Sequence, residues 1–194
     1  MINPAPDDPQ MEPLSRVQVL VAMGVTALVL LLIARVWLLL DSVILLSVVF
    51  NAKILLLGVG IGMGITGTSA IAYRVWPGYR NSADVYLKIV LEPLIWADLI
   101  WMGLLPGLSE ELLFRGVMLP AIGLDIYGVV FSSLCFGVLH LSGLQQWPYV
   151  VWATIIGLIL AVSALYSGNL LVPILAHMTA NLMASLIWKA RQSV

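Results

Sequence analysis

VQVLVAMGVTALVLLLIARVWLLL, residues Val17 to Leu40, decides the fold. It holds roughly 24 residues, ~36 Å as a helix at ~1.5 Å per residue, against a bilayer hydrocarbon core of about 30 Å. Its polar interruptions are Gln18, Thr26 and Arg35. A run this long without alternation excludes a barrel strand, and only a helix of this length satisfies its own backbone in lipid. The rest of the chain agrees. Hydrophobic residues make up 61% of it and charged residues 10%, with a mean hydropathy of +1.05. Ordinary soluble domains carry about 25% charged residues. The expectation is an all-α, polytopic transmembrane helical bundle, an integral membrane, multi-pass protein.

Upstream lies MINPAPDDPQMEPLSR, residues 1–16, which is acidic and proline-rich. It lacks the basic start of a signal peptide and the Arg and Ser of a transit peptide. We read it as a disordered N-terminal tail, followed by a single integral membrane domain over residues 17–194. The net charge of −1 supplies no cationic surface for phosphates, so nucleic acid is not an expected partner; membrane lipid is. Cys135 is the single cysteine, which excludes an internal disulfide.

Downstream, Ile54–Tyr73 reads as a second span. Gly60 and Gly64 have the G-x-x-x-G spacing that allows close helix packing. Arg74–Lys88 reads as a polar connection with Pro77-Gly78 as a turn signal. A third apolar segment, Leu87–Leu105, is expected to end at Pro106-Gly107. Helices then follow near Leu108–Ile122, Ile126–Leu141, Trp147–Tyr166 and Asn169–Trp188, giving about seven segments, or eight if Ser42–Asn51 is separate. Arg74, Arg80 and Lys88 point to a cytoplasmic connection, and Lys189 and Arg191 to a cytoplasmic C-terminus. Full crossing by every segment does not satisfy both, so one segment is short or re-entrant or one assignment is wrong.

Ionisable groups inside a membrane cost at least ~2.5–3.5 kcal/mol each on insertion scales, which makes them functional candidates. In GLSEELLFRG, residues 107–116, Glu110 and Glu111 are expected at a helix start, where the dipole favours negative charge, with Ser109 as N-cap. Arg115 follows Glu111 by four residues, an ion-pair spacing that leaves Glu110 to face another group. His140 ends a helix, and Asn181 follows His177 by one turn on one face. A structural ion pair, hydrogen-bonded core histidines and an interhelical amide would account for each singly. Antiparallel packing would bring Glu110 and His140 to one side. His177 would lie about 12 Å and Asn181 ~18 Å along the last helix, within reach of one polar cavity.

Glu110-Glu111-Leu-Leu-Phe-Arg115 resembles the E-E-x-x-x-R motif of the CPBP intramembrane proteases, which include CAAX prenyl proteases and bacteriocin-processing enzymes. Phe136-Gly-Val-Leu-His140 is similar to that family's F-x-x-x-H motif, and His177-Met-Thr-Ala-Asn181 to its H-x-x-x-N motif. The resemblance covers about residues 92–188. It implies a membrane-embedded endopeptidase acting on a membrane-associated protein or peptide. Glu110 would be the base and His140 would help hold the attacking water. His177 and Asn181 would donate to the oxyanion, and Arg115 would fix Glu111.

The family is also described as metalloproteases, and His140, His177 and Glu110 would make a His₂Glu zinc set. With Glu111 paired to Arg115, a zinc-bound Glu110 would leave no carboxylate base, which favours metal-free chemistry while zinc stays open. A thiol role for Cys135 is disfavoured for want of an activating neighbour. Glu92 and Asp98 would either line the substrate path or neutralise an arginine. Trp76, Trp147 and Trp188 read as interfacial anchors; Trp96 and Trp101 read as packing residues in preference to a stack along a substrate groove. Two other classes fit parts of the pattern: a non-catalytic scaffold or immunity protein on the same fold, and a small transporter with Pro93 and Pro106 as helix breaks.

Overall fold

The computed structural model describes residues 14–192, so the expected tail lies outside it up to residue 13. Ser15 caps α1 (Arg16–Leu40) by accepting from the Gln18 N–H, while the Gln18 side chain accepts from the Ser15 N–H. Asn51 caps α2 (Ala52–Val75) in the same way through Ile54. The intervening residues are extended rather than helical, so Ser42–Asn51 adds no helix. There Ser47 pairs with Asn169, ahead of the last helix.

The polar connection and the third apolar segment are reorganised. Pro77 begins α3 (Pro77–Leu91) instead of a turn, its missing N–H falling where a helix start has no partner for one. The chain breaks after Leu91, and a short turn at Trp96–Asp98 leads into α4 (Leu99–Glu111). Leu87–Leu105 is therefore two helices, with a bend of 107° between Pro77–Leu91 and Trp96–Ile122. Pro106-Gly107 does not end a helix. Pro106 sits inside α4, and the rod continues through a π-helical turn, Leu112–Met118, into α5 (Leu119–Ile122). Then come α6 (Ile126–Leu139), capped by Asp125, α7 (Trp147–Ser167) and α8 (Leu171–Gln192). Gly168, left-handed at φ 59, turns α7 toward α8. With α4, the π turn and α5 counted as one rod, the described residues form seven helices.

Glycines bring α8 to the centre. A Cβ on Gly58 would lie 2.6 Å from Leu175 Cβ, and one on Gly62 2.5 Å from the Ala176 carbonyl oxygen. From the other side, a Cβ on Gly107 would lie 2.4 Å from Met178 Cγ. Gly107 thus serves close approach, which is why it does not terminate the helix. The spacing in α2 that packs is Gly58–Gly62; Gly60 and Gly64 face open space.

Four helices are long and apolar enough to cross a membrane, and the bent pair makes a fifth. The chain is a multi-pass integral membrane protein. Arg16 bonds Asp98, so α1 and the Trp96–Ile122 rod start together. Lys189, near the end of α8, reaches the Leu91 and Leu94 carbonyls at that same face. Leu170 bonds the Ser47 carbonyl at the opposite face. α3 stands almost perpendicular to the rod. Arg74, Arg80, Lys88, Lys189 and Arg191 then share one face, and the conflict between the two cytoplasmic assignments disappears.

Candidate active site

The Glu110-Glu111 pair lies at the junction of α4 with the π turn, in the middle of the rod. The expected helix start is absent because the helix runs through Pro106-Gly107, and Ser109 donates its hydroxyl to the Leu105 carbonyl instead of capping. No N-terminal dipole steadies these carboxylates. Side chains do.

Glu111 is fully buried. Its Oε1 accepts from Arg115 Nη1 and from His177 Nδ1, each at 2.8 Å. Arg115 is equally buried, gives Nη2 to the Gly157 carbonyl of α7 at 2.8 Å, and lies 4.5 Å over the Phe136 ring. A Cβ on Gly157 would lie 3.2 Å from Arg115 Nη2, so glycine keeps that carbonyl within reach. One charge pair thus joins the rod to α7, α8 and the aromatic ring of the second motif.

Glu110 turns to the other side. Its Oε2 lies 3.8 Å from His140 Nε2, too far for a direct hydrogen bond. It is buried without a hydrogen-bond partner in the structure, as are Glu111 Oε2 and Arg115 Nε. His140 caps the end of α6, and its Nδ1 bonds the Phe136 carbonyl at 2.9 Å. A carbonyl only accepts, so Nδ1 carries the proton, and when the ring is neutral its Nε2 offers a lone pair toward Glu110. A water between two such acceptors would donate to both.

His140, His177 and Asn181 line one cavity of about 240 Å³, together with Phe136, Tyr149 and Trp152. Its outer part is bounded by Tyr73, Asp84 and Arg191, at the face where α2 and α8 end. The expected site residues therefore gather into two linked groups, Glu111–Arg115–His177 and Glu110–His140; His140, His177 and Asn181 line the cavity, and Glu110, Glu111 and Arg115 do not. One expectation needs restating. With the Nδ1 proton of His177 given to Glu111, its Nε2 donates to an oxyanion only in the imidazolium form.

Among the described residues, no three His, Cys, Asp or Glu side chains form a group able to hold a metal ion. His140, His177 and Glu110 are not gathered as a His₂Glu set. Asp98 neutralises Arg16 at 2.7 Å and does not line the cavity. Trp96 and Trp101, expected to pack, are about half exposed at 51% and 48% and face outward from the bundle. Cys135 packs against the core and lies off the cavity wall. Two contributors carried no motif: Tyr149, beside His140 with ring centroids 6.1 Å apart, and the Gly157 carbonyl. Tyr149 follows Pro148 at a span start, a context that signals a helix end rather than a site.

The family described as type II CAAX prenyl endopeptidase Rce1-like matches residues 92–183. The uncharacterized protein YpbD of Bacillus subtilis (strain 168) is 28% identical over 127 residues, covering 66% of this chain. The alignment takes in 65% of that relative, just under two thirds of its length. No solved structure gives a significant match. The matched stretch, 92 of the chain's 194 residues, contains all three motifs, and over it the chain is similar to that family.

Proposed function

We propose that this protein is a membrane-embedded endopeptidase that cleaves a membrane-associated protein or peptide with a water activated by Glu110 and His140. The observation that carries the reading is the 3.8 Å gap between Glu110 Oε2 and His140 Nε2, beside a cavity shared with His177 and Asn181. Two acceptors facing each other across that gap suit a water that gives a hydrogen bond to each, leaving an oxygen lone pair for attack. As the water oxygen bonds to the peptide carbonyl carbon, Glu110 takes a proton. The Asn181 amide, and His177 when protonated, donate to the oxyanion. Collapse of the tetrahedral adduct breaks the C–N bond, and the departing amine takes the proton from Glu110.

Arg115 and Glu111 act through His177, holding its ring with Nε2 toward the cavity. No step is assigned to a metal, because the donor groups do not converge on one point. The description of the matched family makes a lipid-anchored, CAAX-type C-terminal peptide the first substrate to try. The test is a comparison of peptides released from membranes carrying the wild-type chain or Glu110→Ala. Products specific to the wild type support the endopeptidase. Identical peptide sets would favour a scaffold on the same fold.

A further inference from the structure

Donors and acceptors on the cavity wall are out of balance near the histidines. His140 gives its Nδ1 proton to the Phe136 carbonyl, and His177 gives its own to Glu111. Each neutral ring therefore offers the cavity only an acceptor. A peptide carbonyl under attack needs donors aimed at its oxygen. Most donors on the wall are already engaged: Thr66 on the Gly62 carbonyl, Trp152 on Ser69, and the Tyr73 hydroxyl on Asp84.

Tyr149 differs from Tyr73. It lines the cavity, and its hydroxyl has no hydrogen-bond partner among the described residues. That hydroxyl lies within electrostatic reach of Glu110. The ring is held in place, stacked on Tyr86 with centroids 4.9 Å apart and on Tyr79 at 6.1 Å. A stacked ring fixes the direction of its hydroxyl, and a donor fixed in advance costs no reorganisation when charge develops.

We propose that the Tyr149 hydroxyl is a catalytic donor that, with the Asn181 amide, hydrogen-bonds the carbonyl oxygen of the scissile peptide and tightens on it as the oxyanion forms. This rests on the endopeptidase reading. Tyr149 transfers no proton, so the bond changes are those already given: water oxygen to carbonyl carbon, a proton to Glu110, scission of C–N, and a proton to the amine.

The test uses the full chain purified in detergent and an internally quenched peptide spanning a bond that the membrane comparison finds cleaved. Tyr149→Phe keeps the ring stack and loses the donor. It is expected to lower kcat about 100-fold with KM unchanged. Placing 4-aminophenylalanine at position 149 restores an N–H donor on the same ring and is expected to recover much of that loss. Wild-type kcat in Tyr149→Phe overturns the assignment. So does an equal loss with 4-aminophenylalanine, which would make the residue's role one of packing. Failure of the wild type to release any peptide beyond Glu110→Ala overturns the endopeptidase reading, and this proposal with it.

Discussion

His177 gives its Nδ1 proton to Glu111 across 2.8 Å, so the last helix is bound to the rod through a carboxylate that Arg115 already holds. The three side chains form a chain of alternating charge capacity in which Arg115 and Glu111 are fully buried. A buried pair like this is costly to break, because the survivor is left as an unpaired charge in the bundle.

Arg115→Met should therefore destabilise the fold as well as the site. Breaking a buried pair costs about 3–5 kcal/mol. The thermal transition of the detergent-solubilised variant should fall sharply, and its elution should broaden toward aggregates. A transition equal to the wild type would mean that the pair contributes nothing to stability.

Glu110→Ala and His140→Ala should separate chemistry from folding. Neither removes a direct hydrogen bond between the two, since they stand 3.8 Å apart. Cleavage should vanish in both while expression and thermal transition stay near wild type. Cys135→Ser, which lies off the cavity wall, should cleave at the wild-type rate. Full activity in Glu110→Ala or His140→Ala would assign the water to other residues.

The glycines of α2 give a packing test. At Gly62 an added Cβ would meet the Ala176 carbonyl oxygen at 2.5 Å and Thr179 Cβ at 2.6 Å, with backbone on one side and a branched side chain on the other. Gly62→Ala should cost about 1–3 kcal/mol, the range for overpacking. Gly60→Ala meets nothing within 4 Å and should be neutral or slightly stabilising. Equal thermal transitions for the two variants would refute the α2–α8 register.

That contrast also marks what was legible in the sequence. Hydropathy identified the long spans, because lipid forces an apolar run to be a helix whatever it packs against. Spacing paired Glu111 with Arg115, and antiparallel packing of successive helices brought Glu110 to the side of His140. Choices that depend on a partner surface were not legible. Gly58–Gly62 and Gly60–Gly64 have the same spacing, and only the position of α8 selects the first. Pro106-Gly107 reads locally as a stop, yet Gly107 is spent on admitting Met178. The Glu92-Pro93 break and the α3 helix were hidden because Pro77–Leu91 has mixed polarity, like a loop.

Arg74, Arg80 and Lys88 share a face with the end of α8, and the rule that cationic flanks stay cytoplasmic predicts the orientation. In a Cys135→Ser background, a single cysteine at exposed Asn81 should react with a membrane-impermeant maleimide only after the cells are permeabilised. One at Leu124, between α5 and α6, should react in intact cells. The reverse pattern would invert the topology and put the mouth of the cavity on the outer face.

Metal dependence is decided by how many acceptors the site can spare. Neutral His140 and His177 each turn an Nε2 lone pair toward the cavity, which taken alone would suit zinc. A catalytic zinc takes three protein ligands, and the third would have to be a carboxylate. Glu111 Oε1 is occupied by Arg115 and His177 and its Oε2 is sealed in the bundle off the cavity wall, which leaves Glu110, and a zinc-bound Glu110 could not also take the proton from water. Asn181 is a neutral amide, suited to donate to an oxyanion rather than to bind zinc. Purified protein is therefore expected to hold well under one zinc per chain and to keep its turnover after exhaustive chelation. Stoichiometric zinc by elemental analysis, with turnover lost on chelation and restored by zinc, would overturn this. Glu111 would then have to leave Arg115 to serve as the base.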